Sequence, residues 1–328
     1  MRKTPVARGR TDPVKGVVLA LSDITSWDWP EEAASAGLNT IATHGMAADS
    51  GEFMQSELGE AFRTRCEKTG VEIEHELHAA RELLPRELFA RYPDMFRMNE
   101  AGDRVPDANL CVHSEPALEV CCQNAVALAH ALTPTTARHF FWIDDGQPLC
   151  RCRRCRPYSD SDQALILENR LISALRNDNP KATLAHLAYA NTLWPPEHVK
   201  PLPGVFLEFA PIQRRYDVPF DVRDARLGGE NTPSHGEQLD ALDANLEIFG
   251  SEGAQALEYW LDVSRFSMWD RARIAPIPWN KRVVEEDVKL YRERGVRNLT
   301  TFAVWLGGDY VRRFGKPPLG EYGDALTC

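Results

Sequence analysis

Two adjacent aspartates, Asp144 and Asp145, end an aromatic and apolar run in the segment FFWIDDG. Cleavage of a glycosidic bond requires such a pair, since one acid protonates the leaving oxygen while a second carboxylate attacks, activates water or stabilises a neighbouring group. Surroundings of low polarity raise the pKa of such an acid, and the side chain of Trp142 would provide such surroundings. Adjacent strand residues point to opposite faces, so both serve one site only if the strand has ended, which Gly146 permits. A turn or helix-capping pair is the alternative.

Three cysteines follow the aspartates in the pattern C-x-C-x-x-C, at Cys150, Cys152 and Cys155. This spacing is typical of a structural zinc site, which takes four tetrahedral ligands. Cys111 is the leading candidate for the fourth ligand, with a histidine or water as alternatives. The negative charge of a zinc–thiolate centre would be offset by the arginines of the loop, Arg151, Arg153, Arg154 and Arg156. Free packed thiols, a redox-active loop and arginines that bind an acidic saccharide remain as alternatives.

The elements that must position these residues alternate along the chain between strand and helix patterns. We predict strands at 16–23, 39–45, 71–78, 138–146, 182–191, 204–211, 254–263 and 297–308. We predict helices at 29–37, 56–70, 114–132, 161–178, 236–250 and 281–295, the third of them capped by Ser114. Long loops follow the third and sixth strands. This alternation predicts an α/β fold, a single-domain (β/α)8 TIM barrel over 16–328 after a disordered lead-in over 1–15. An open doubly wound sheet is the alternative.

In such a barrel the active site lies at the carboxyl ends of the strands. The predicted strand ends offer Asp23, His44, His78, the aspartate pair, Tyr189, Asn191, Glu208, Glu258, Trp260, Asp262 and Trp305. Glu208 and Glu258 stand among aromatic residues, where an acid is costly unless it meets a partner or a polar cavity. We therefore predict Asp144 and Asp145 as catalytic residues. The predicted sugar pocket consists of His44, His78, Tyr189, Trp194, Glu208, Glu258, Trp260 and Trp305. Salt bridges at the barrel interior are the alternative for the two glutamates.

Composition excludes several classes of partner. The net charge is −10, which argues against nucleic acid or an anionic membrane, since both require a basic surface. No run approaches the length of about 18 apolar residues that a transmembrane helix needs, and the first residues lack an apolar secretion signal. We therefore expect a cytoplasmic protein, with thiols that are free or bind metal, whose partner is a saccharide substrate.

The order of several motifs resembles domain-of-unknown-function family 4838. LCVHSEP at 110–116 precedes the acidic strand end and the cysteine loop, and ENRLISAL and LAYANTLWPP follow, the latter at 187–196. The likeness covers about 16–324. That family is a glycoside-hydrolase-like TIM barrel that includes the endo-β-N-acetylglucosaminidases of glycoside hydrolase family 163.

The resemblance implies a retaining, substrate-assisted mechanism without a catalytic cofactor. By position, Asp144 would orient an acetamido group that attacks its own anomeric carbon, and Asp145 would be the general acid/base. The family pattern has glutamate at the second position, so Asp145 is one methylene shorter. We also expect a lone barrel, without the flanking domains and export signal common in the family.

Three functions follow from these patterns. The leading hypothesis is a glycoside hydrolase acting on an N-acetylhexosamine-type or related saccharide. The second is a saccharide-binding barrel that has lost hydrolysis. The third is a metal- or thiol-dependent enzyme centred on the loop from Cys150 to Cys155.

Overall fold

The computed structural model describes residues 12–327, so residues 1–11 of the predicted lead-in and Cys328 lie outside the described range. Eight strands form a closed parallel barrel in chain order. They are β1 Lys15–Ala20, β2 Thr40–His44, β3 Glu72–His78, β4 Arg138–Trp142, β5 Thr183–Ala188, β6 Val205–Phe209, β7 Gln255–Glu258 and β8 Asn298–Phe302. The predicted (β/α)8 barrel is confirmed.

Helices connect the strands and surround the barrel. Those before β4 are α1 Leu21–Ser26, α2 Trp29–Ser35, α3 Ala47–Gln55, α4 Glu57–Thr69, α5 Ala80–Leu83 and α6 Glu115–Leu132. The others are α7 Asp160–Asp178, α8 His235–Phe249, α9 Val263–Phe266, α10 Lys281–Glu293, α11 Gly308–Phe314 and α12 Leu319–Ala325. Short 3-10 turns lie at Arg86–Ala90, Pro93–Met95, Ala190–Thr192 and Arg271–Arg273. Each of the six predicted helices is present. The sequence patterns missed α1, α3, α5, α9, α11 and α12.

The barrel closes where β1 pairs with β8, with Gly16 opposite Thr300. Gly16 also pairs with Thr40 of β2. A Cβ at this glycine would lie 2.9 Å from the Thr40 carbonyl oxygen, so the close approach of neighbouring strands requires glycine here.

The barrel interior contains polar side chains as well as aliphatic ones. Gln255 of β7 donates to Glu76 Oε1 at 3.0 Å and to Glu208 Oε1 at 2.8 Å. Arg138 of β4 donates to Gln255 Oε1 at 2.7 Å. Burial raises the pKa of Glu208 to about 8. The glutamates that the sequence placed among aromatic residues therefore include one that is held inside the barrel by hydrogen bonds.

The predicted strands continue too far at their carboxyl ends. β4 ends at Trp142, β5 at Ala188 and β8 at Phe302, so the residues that follow already belong to loops. The strands stop pairing at these residues, although the apolar sequence pattern continues into the loops at the carboxyl end of the barrel. Ser114 is the N-cap residue of α6 as predicted, but its side chain makes no capping hydrogen bond.

Among residues 12–327 no helix combines the length and the apolar character needed to cross a bilayer.

Candidate active site

A cavity of about 310 Å³ lies at the carboxyl end of the barrel. It is lined by His44, His78, Trp142, Asp145, Leu187, Tyr189, Ala210, Ile212, Leu257, Tyr259, Asp262, Ser264, Trp269, Phe302, Val304 and Trp305. These residues come from the ends of seven strands, β2 to β8, or from the loops that follow them. This is the face at which barrels of this type build their active sites.

Asp145 is the member of the acid pair that lines the cavity. Its side chain is 63% exposed, and its Oδ1 lies 3.9 Å from His78 Nε2. Gly146 follows in the left-handed region with φ of 58°, which is the turn that the sequence predicted. Burial raises the pKa of Tyr189, and the charge of Asp145 and a hydrogen bond to it raise it further. Tyr189 therefore keeps its proton and faces the Asp145 carboxylate.

Two histidines stand beside Trp142 on the cavity wall. His44 Nδ1 lies 2.7 Å from the Glu76 carbonyl oxygen, and His78 Nδ1 lies 2.6 Å from the Ile143 carbonyl oxygen. Burial lowers the pKa of His44 to about 4, with help from the charge of His78. His44 is neutral at pH 7, and because Nδ1 donates to the carbonyl, Nε2 is an acceptor for a ligand hydroxyl.

Asp144 does not line this cavity. Its Oδ2 accepts hydrogen bonds from Arg86 Nη2 at 2.6 Å and from the Asn109 backbone nitrogen at 2.5 Å. Its own backbone nitrogen donates to Asn109 Oδ1 at 2.9 Å. The Asp144 side chain thus fastens the loop after β4 to the long loop after β3, and only Asp145 of the pair faces the cavity.

Asp262 is the second carboxylate in the cavity. It follows β7 and caps α9: Ser264 Oγ donates to its Oδ1 at 2.6 Å and Arg265 N donates to the same atom at 3.2 Å. Burial raises the pKa of Asp262. Both of these bonds end on Oδ1. The sequence analysis named Asp262 as a strand-end residue but not as a site residue. Its position just beyond the carboxyl end of a strand could have identified it as a site residue.

Two tryptophans form the open side of the cavity. Trp269 is 64% exposed, and the Arg271 guanidinium lies 4.6 Å from the Trp305 ring centre. Both tryptophans have a positive φ, 55° and 69°. Met268 and Ala190, in the loops after β7 and β5, share this conformation. Strained backbone of this kind concentrates at functional sites, so the strain marks the same rim as the carboxylates do.

The other residues predicted for the sugar pocket lie elsewhere. Glu208 is fully buried and accepts a hydrogen bond from Trp142 Nε1 at 2.9 Å. It therefore holds Trp142, which lines the cavity, from the barrel interior. Glu258, also fully buried, is bonded to Arg214 at 3.0 Å. Trp260 is buried and donates to Asp287 at 3.0 Å. Trp194 is 53% exposed outside the cavity lining. Of the predicted pocket, the structure brings together His44, His78, Tyr189 and Trp305.

The four cysteines that the sequence grouped come together in a separate cluster. The sulfurs of Cys111, Cys150, Cys152 and Cys155 all lie within 4.8 Å of one another, and all four residues are buried. Cys111 Sγ lies 3.8 Å from the sulfurs of Cys152 and of Cys155. None of these residues lines the cavity.

Two arginines of the cysteine loop have partners other than the sulfurs. Arg151 pairs with Asp160 at 2.8 Å, and Arg154 donates to the His113 carbonyl oxygen at 3.0 Å. Arg104, from the loop after β3, is the arginine that reaches a sulfur, since its Nη1 lies 3.7 Å from Cys150 Sγ. The sequence pattern missed it because it lies far from the cysteine motif along the chain.

The family model described as domain of unknown function (DUF4838) matches residues 52–305, which is more than half of the chain. The chain belongs to the DUF4838 family. The matched range includes β3 to β8, the acid pair, the cysteine cluster and Asp262. A search of curated protein sequences found no match.

Solved structures with the same fold include glycoside hydrolases. The catalytic domain of β-amylase from Paenibacillus polymyxa aligns at a TM-score of 0.55 and 10% identity, covering 96% of this chain and 98% of its own. A β-galactosidase from Marinomonas ef1 aligns at 0.54 and 11%, covering 95% of this chain and 58% of its own, so the chain spans little more than half of that enzyme. A broad-specificity GH5-4 endoglucanase from an uncultured bacterium aligns at 0.51 and 10%, covering 94% and 86%. These likenesses show the fold of this DUF4838 chain.

Proposed function

We propose that this protein is a glycoside hydrolase with Asp145 as general acid/base and Asp262 as the second carboxylate. The observation that carries the proposal is that these two acids, from the ends of β4 and β7, line one cavity with aromatic walls. Aromatic faces stack on the apolar faces of sugar rings, and two carboxyl groups are the catalytic set for glycosidic cleavage. Bound sugar would cover Asp145 and exclude water from it, which is the condition for an acid that must hold its proton.

The substrate in this proposal is an N-acetylhexosamine-type saccharide, and the mechanism is retaining and substrate-assisted. The family resemblance supports this class. It gives the acetamido-orienting role to Asp144, whose carboxylate is bound by Arg86 and Asn109. Asp262 lines the cavity instead, so we assign that role to Asp262. Tyr189 and His78 stand beside Asp145 and would hold its carboxyl group toward the glycosidic oxygen.

Hydrolysis of a panel of aryl glycosides and oligosaccharides tests the activity. Loss of a positioned general acid/base costs about 10²–10⁴-fold in rate, so Asp145→Asn should lower kcat by at least about 100-fold. Asp262→Asn, which removes the second carboxylate, should also lower kcat. Asp240→Asn is the matched control, because Asp240 lies on the outer helix α8 with a 56% exposed side chain. Full turnover by Asp145→Asn would contradict the proposal.

Inhibition by N-acetylglucosamine-thiazoline, a mimic of the cyclised intermediate, tests the mechanism. We expect competitive inhibition and cleavage of 2-acetamido glycosides only. Equal cleavage of 2-hydroxy glycosides without thiazoline inhibition would overturn substrate assistance and leave Asp262 as a direct nucleophile or base.

A saccharide-binding barrel without hydrolysis is the second candidate. The 63% exposure of the Asp145 side chain favours it, because a catalytic acid is usually found in surroundings of low polarity. Calorimetric binding of a saccharide that the protein does not cleave, with binding lost in Trp269→Ala, would support this candidate over the first. The buried thiols lie outside the cavity lining, so a thiol-dependent reaction is not proposed.

A further inference from the structure

The cysteine cluster has the dimensions of a tetrahedral metal site. Cys111 lies in the loop between β3 and α6, and the other three cysteines lie in the loop between β4 and α7. The separations of Cys111 Sγ from the sulfurs of Cys152 and Cys155, 3.8 Å each, match the edge of a tetrahedron whose metal–sulfur bonds are about 2.3 Å, and all four sulfurs lie within 4.8 Å of one another. A disulfide requires about 2.05 Å, so these sulfurs are not placed as bonded pairs.

We propose that Cys111, Cys150, Cys152 and Cys155 bind one zinc ion as a closed structural site. Four protein ligands fill the tetrahedral shell and leave no position for water or substrate, which is the arrangement of structural zinc. Each thiol releases its proton to solvent when it binds the ion. The site stands apart from the glycosidase proposal, since metal binding can be measured without any substrate.

Donors around the sulfurs complete the site. The Met98 backbone nitrogen donates to Cys150 Sγ at 3.3 Å, and Arg104 Nη1 lies 3.7 Å from the same sulfur. His113 Nδ1 lies 3.2 Å from Cys155 Sγ. Four thiolates around a divalent ion leave negative charge on the sulfurs, and such donors offset it.

The zinc would fix the loop that carries Asp145. The same two loops are joined a short distance away by Asn109, whose Nδ2 donates to the carbonyl oxygens of Gln147 at 3.3 Å and Pro148 at 3.1 Å. The bonds of Asn109 to Asp144 belong to the same junction. Zinc at one end and this junction at the other hold the segment 144–156 at two points, so the ion is a positioning element for the cavity rim.

Metal analysis of the purified full-length protein tests the site. We expect about one zinc per chain. Loss of an outer-shell partner costs about 10–100-fold in metal affinity, and loss of a ligand costs more. The zinc content of purified Cys152→Ser should therefore be at most about one tenth of the wild-type content. Cys66→Ser is the matched control, because Cys66 is also buried but lies in α4 outside the cluster. Wild-type protein without zinc, or zinc retained by Cys152→Ser, would overturn the proposal.

Cobalt replacement keeps the proposal testable if Cys152→Ser does not fold. Wild-type protein produced in cobalt-supplemented medium should show thiolate-to-cobalt charge-transfer bands and the visible bands of tetrahedral cobalt. Absence of these bands from cobalt-loaded protein would contradict a four-thiolate site. Denatured, metal-free protein should contain eight free thiols, the number in the sequence, and a lower count would indicate disulfides instead of metal ligands.

Hydrogen exchange tests the positioning role. Removal of zinc by a chelator should increase hydrogen exchange in 107–113 and 144–156. Exchange in α10, which lies between β7 and β8 in the chain, should not change. Unchanged exchange in both loops would show that the ion does not hold them.

Discussion

At the scale of single residues, the acid pair shows how one side chain can face a cavity while its neighbour has a structural role. Asp144 is bound by Arg86 and the Asn109 backbone, whereas Asp145 lines the cavity. β4 ends two residues before the pair, so the strand's alternation no longer dictates where either side chain points. Because the bonds of Asp144 fix this segment, the side chain of Asp145 has a defined orientation.

The exposed tryptophan at the cavity mouth gives a prediction at this scale. Trp269→Ala should raise KM, or weaken saccharide binding, by about tenfold, because aromatic stacking contributes about 0.5–1.5 kcal/mol beyond area burial. Trp194→Ala is the matched control: Trp194 is 53% exposed, compared with 64% for Trp269, but lies outside the cavity lining. Equal effects of the two substitutions would show that Trp269 has no specific place in the site.

At the scale of elements, the loops after β3 and β4 form one unit. The bonds of Asp144 to Arg86 and Asn109 and the convergence of Cys111 with the three later cysteines link them. The sequence shows these loops as separate irregular segments, since their contacts join residues that are far apart along the chain.

A buried strand residue contributes a pH dependence to the stability of the fold. Burial raises the pKa of Glu208 in β6 from 4.5 to about 8, so the folded protein holds a proton there that the unfolded chain releases. Stability should therefore fall as pH rises from about 4.5 to about 8, because the native state binds more protons in that window.

Glu208→Gln tests this dependence. The variant cannot ionise, and its one amide oxygen can accept from either Trp142 or Gln255 but not from both. It should therefore be less stable than the wild type at pH 5, but its Tm should fall less between pH 5 and pH 8. We expect the falls of the two proteins to differ by at least about 2 °C, equivalent to about 1 kcal/mol. Thermal unfolding measured across this range checks it, and parallel curves for the two proteins would contradict the assignment.

At the scale of the whole molecule, a buried ion network joins the barrel to its outer layer. Arg214 follows β6 and is bonded to Glu258 of β7 at 3.0 Å and to Asp287 of α10 at 2.6 Å, with all three side chains fully buried. Tyr291 of α10 donates to Glu258 Oε1 at 2.6 Å. This network explains why Glu258 and Trp260 are held in the interior and do not face the cavity.

Removing the arginine should destabilise the entire fold. Arg214→Met leaves two buried acids without their cation, and breaking a buried pair costs about 3–5 kcal/mol. Arg215→Met is the control, because Arg215 is 43% exposed beside Asp217 and surface substitutions usually change stability by less than about 0.5 kcal/mol. Chemical denaturation measures both, and similar free energies of unfolding would refute the role of the network.

The sequence by itself determined the repeating architecture and the residues available for chemistry. Alternating strand and helix patterns predicted the eight-stranded barrel, and the spacing of Cys150, Cys152 and Cys155, together with Cys111, predicted the set of thiols that the structure brings together. The barrel and the three clustered cysteines follow from local periodicity and short-range spacing, which a single chain displays directly, whereas Cys111 was chosen because it ends the long loop after the third strand.

Only the tertiary structure decided which of those residues share a site. It directed Asp145 and Asp262 into one cavity, drew Asp144 to Arg86, and buried Glu258 against Arg214. Each outcome depends on a partner tens of residues away and on the residue at which a strand stops. A carboxylate can be buried only beside a cation or hydrogen-bond donor that compensates its lost hydration. The closed barrel, not the local sequence, places that partner.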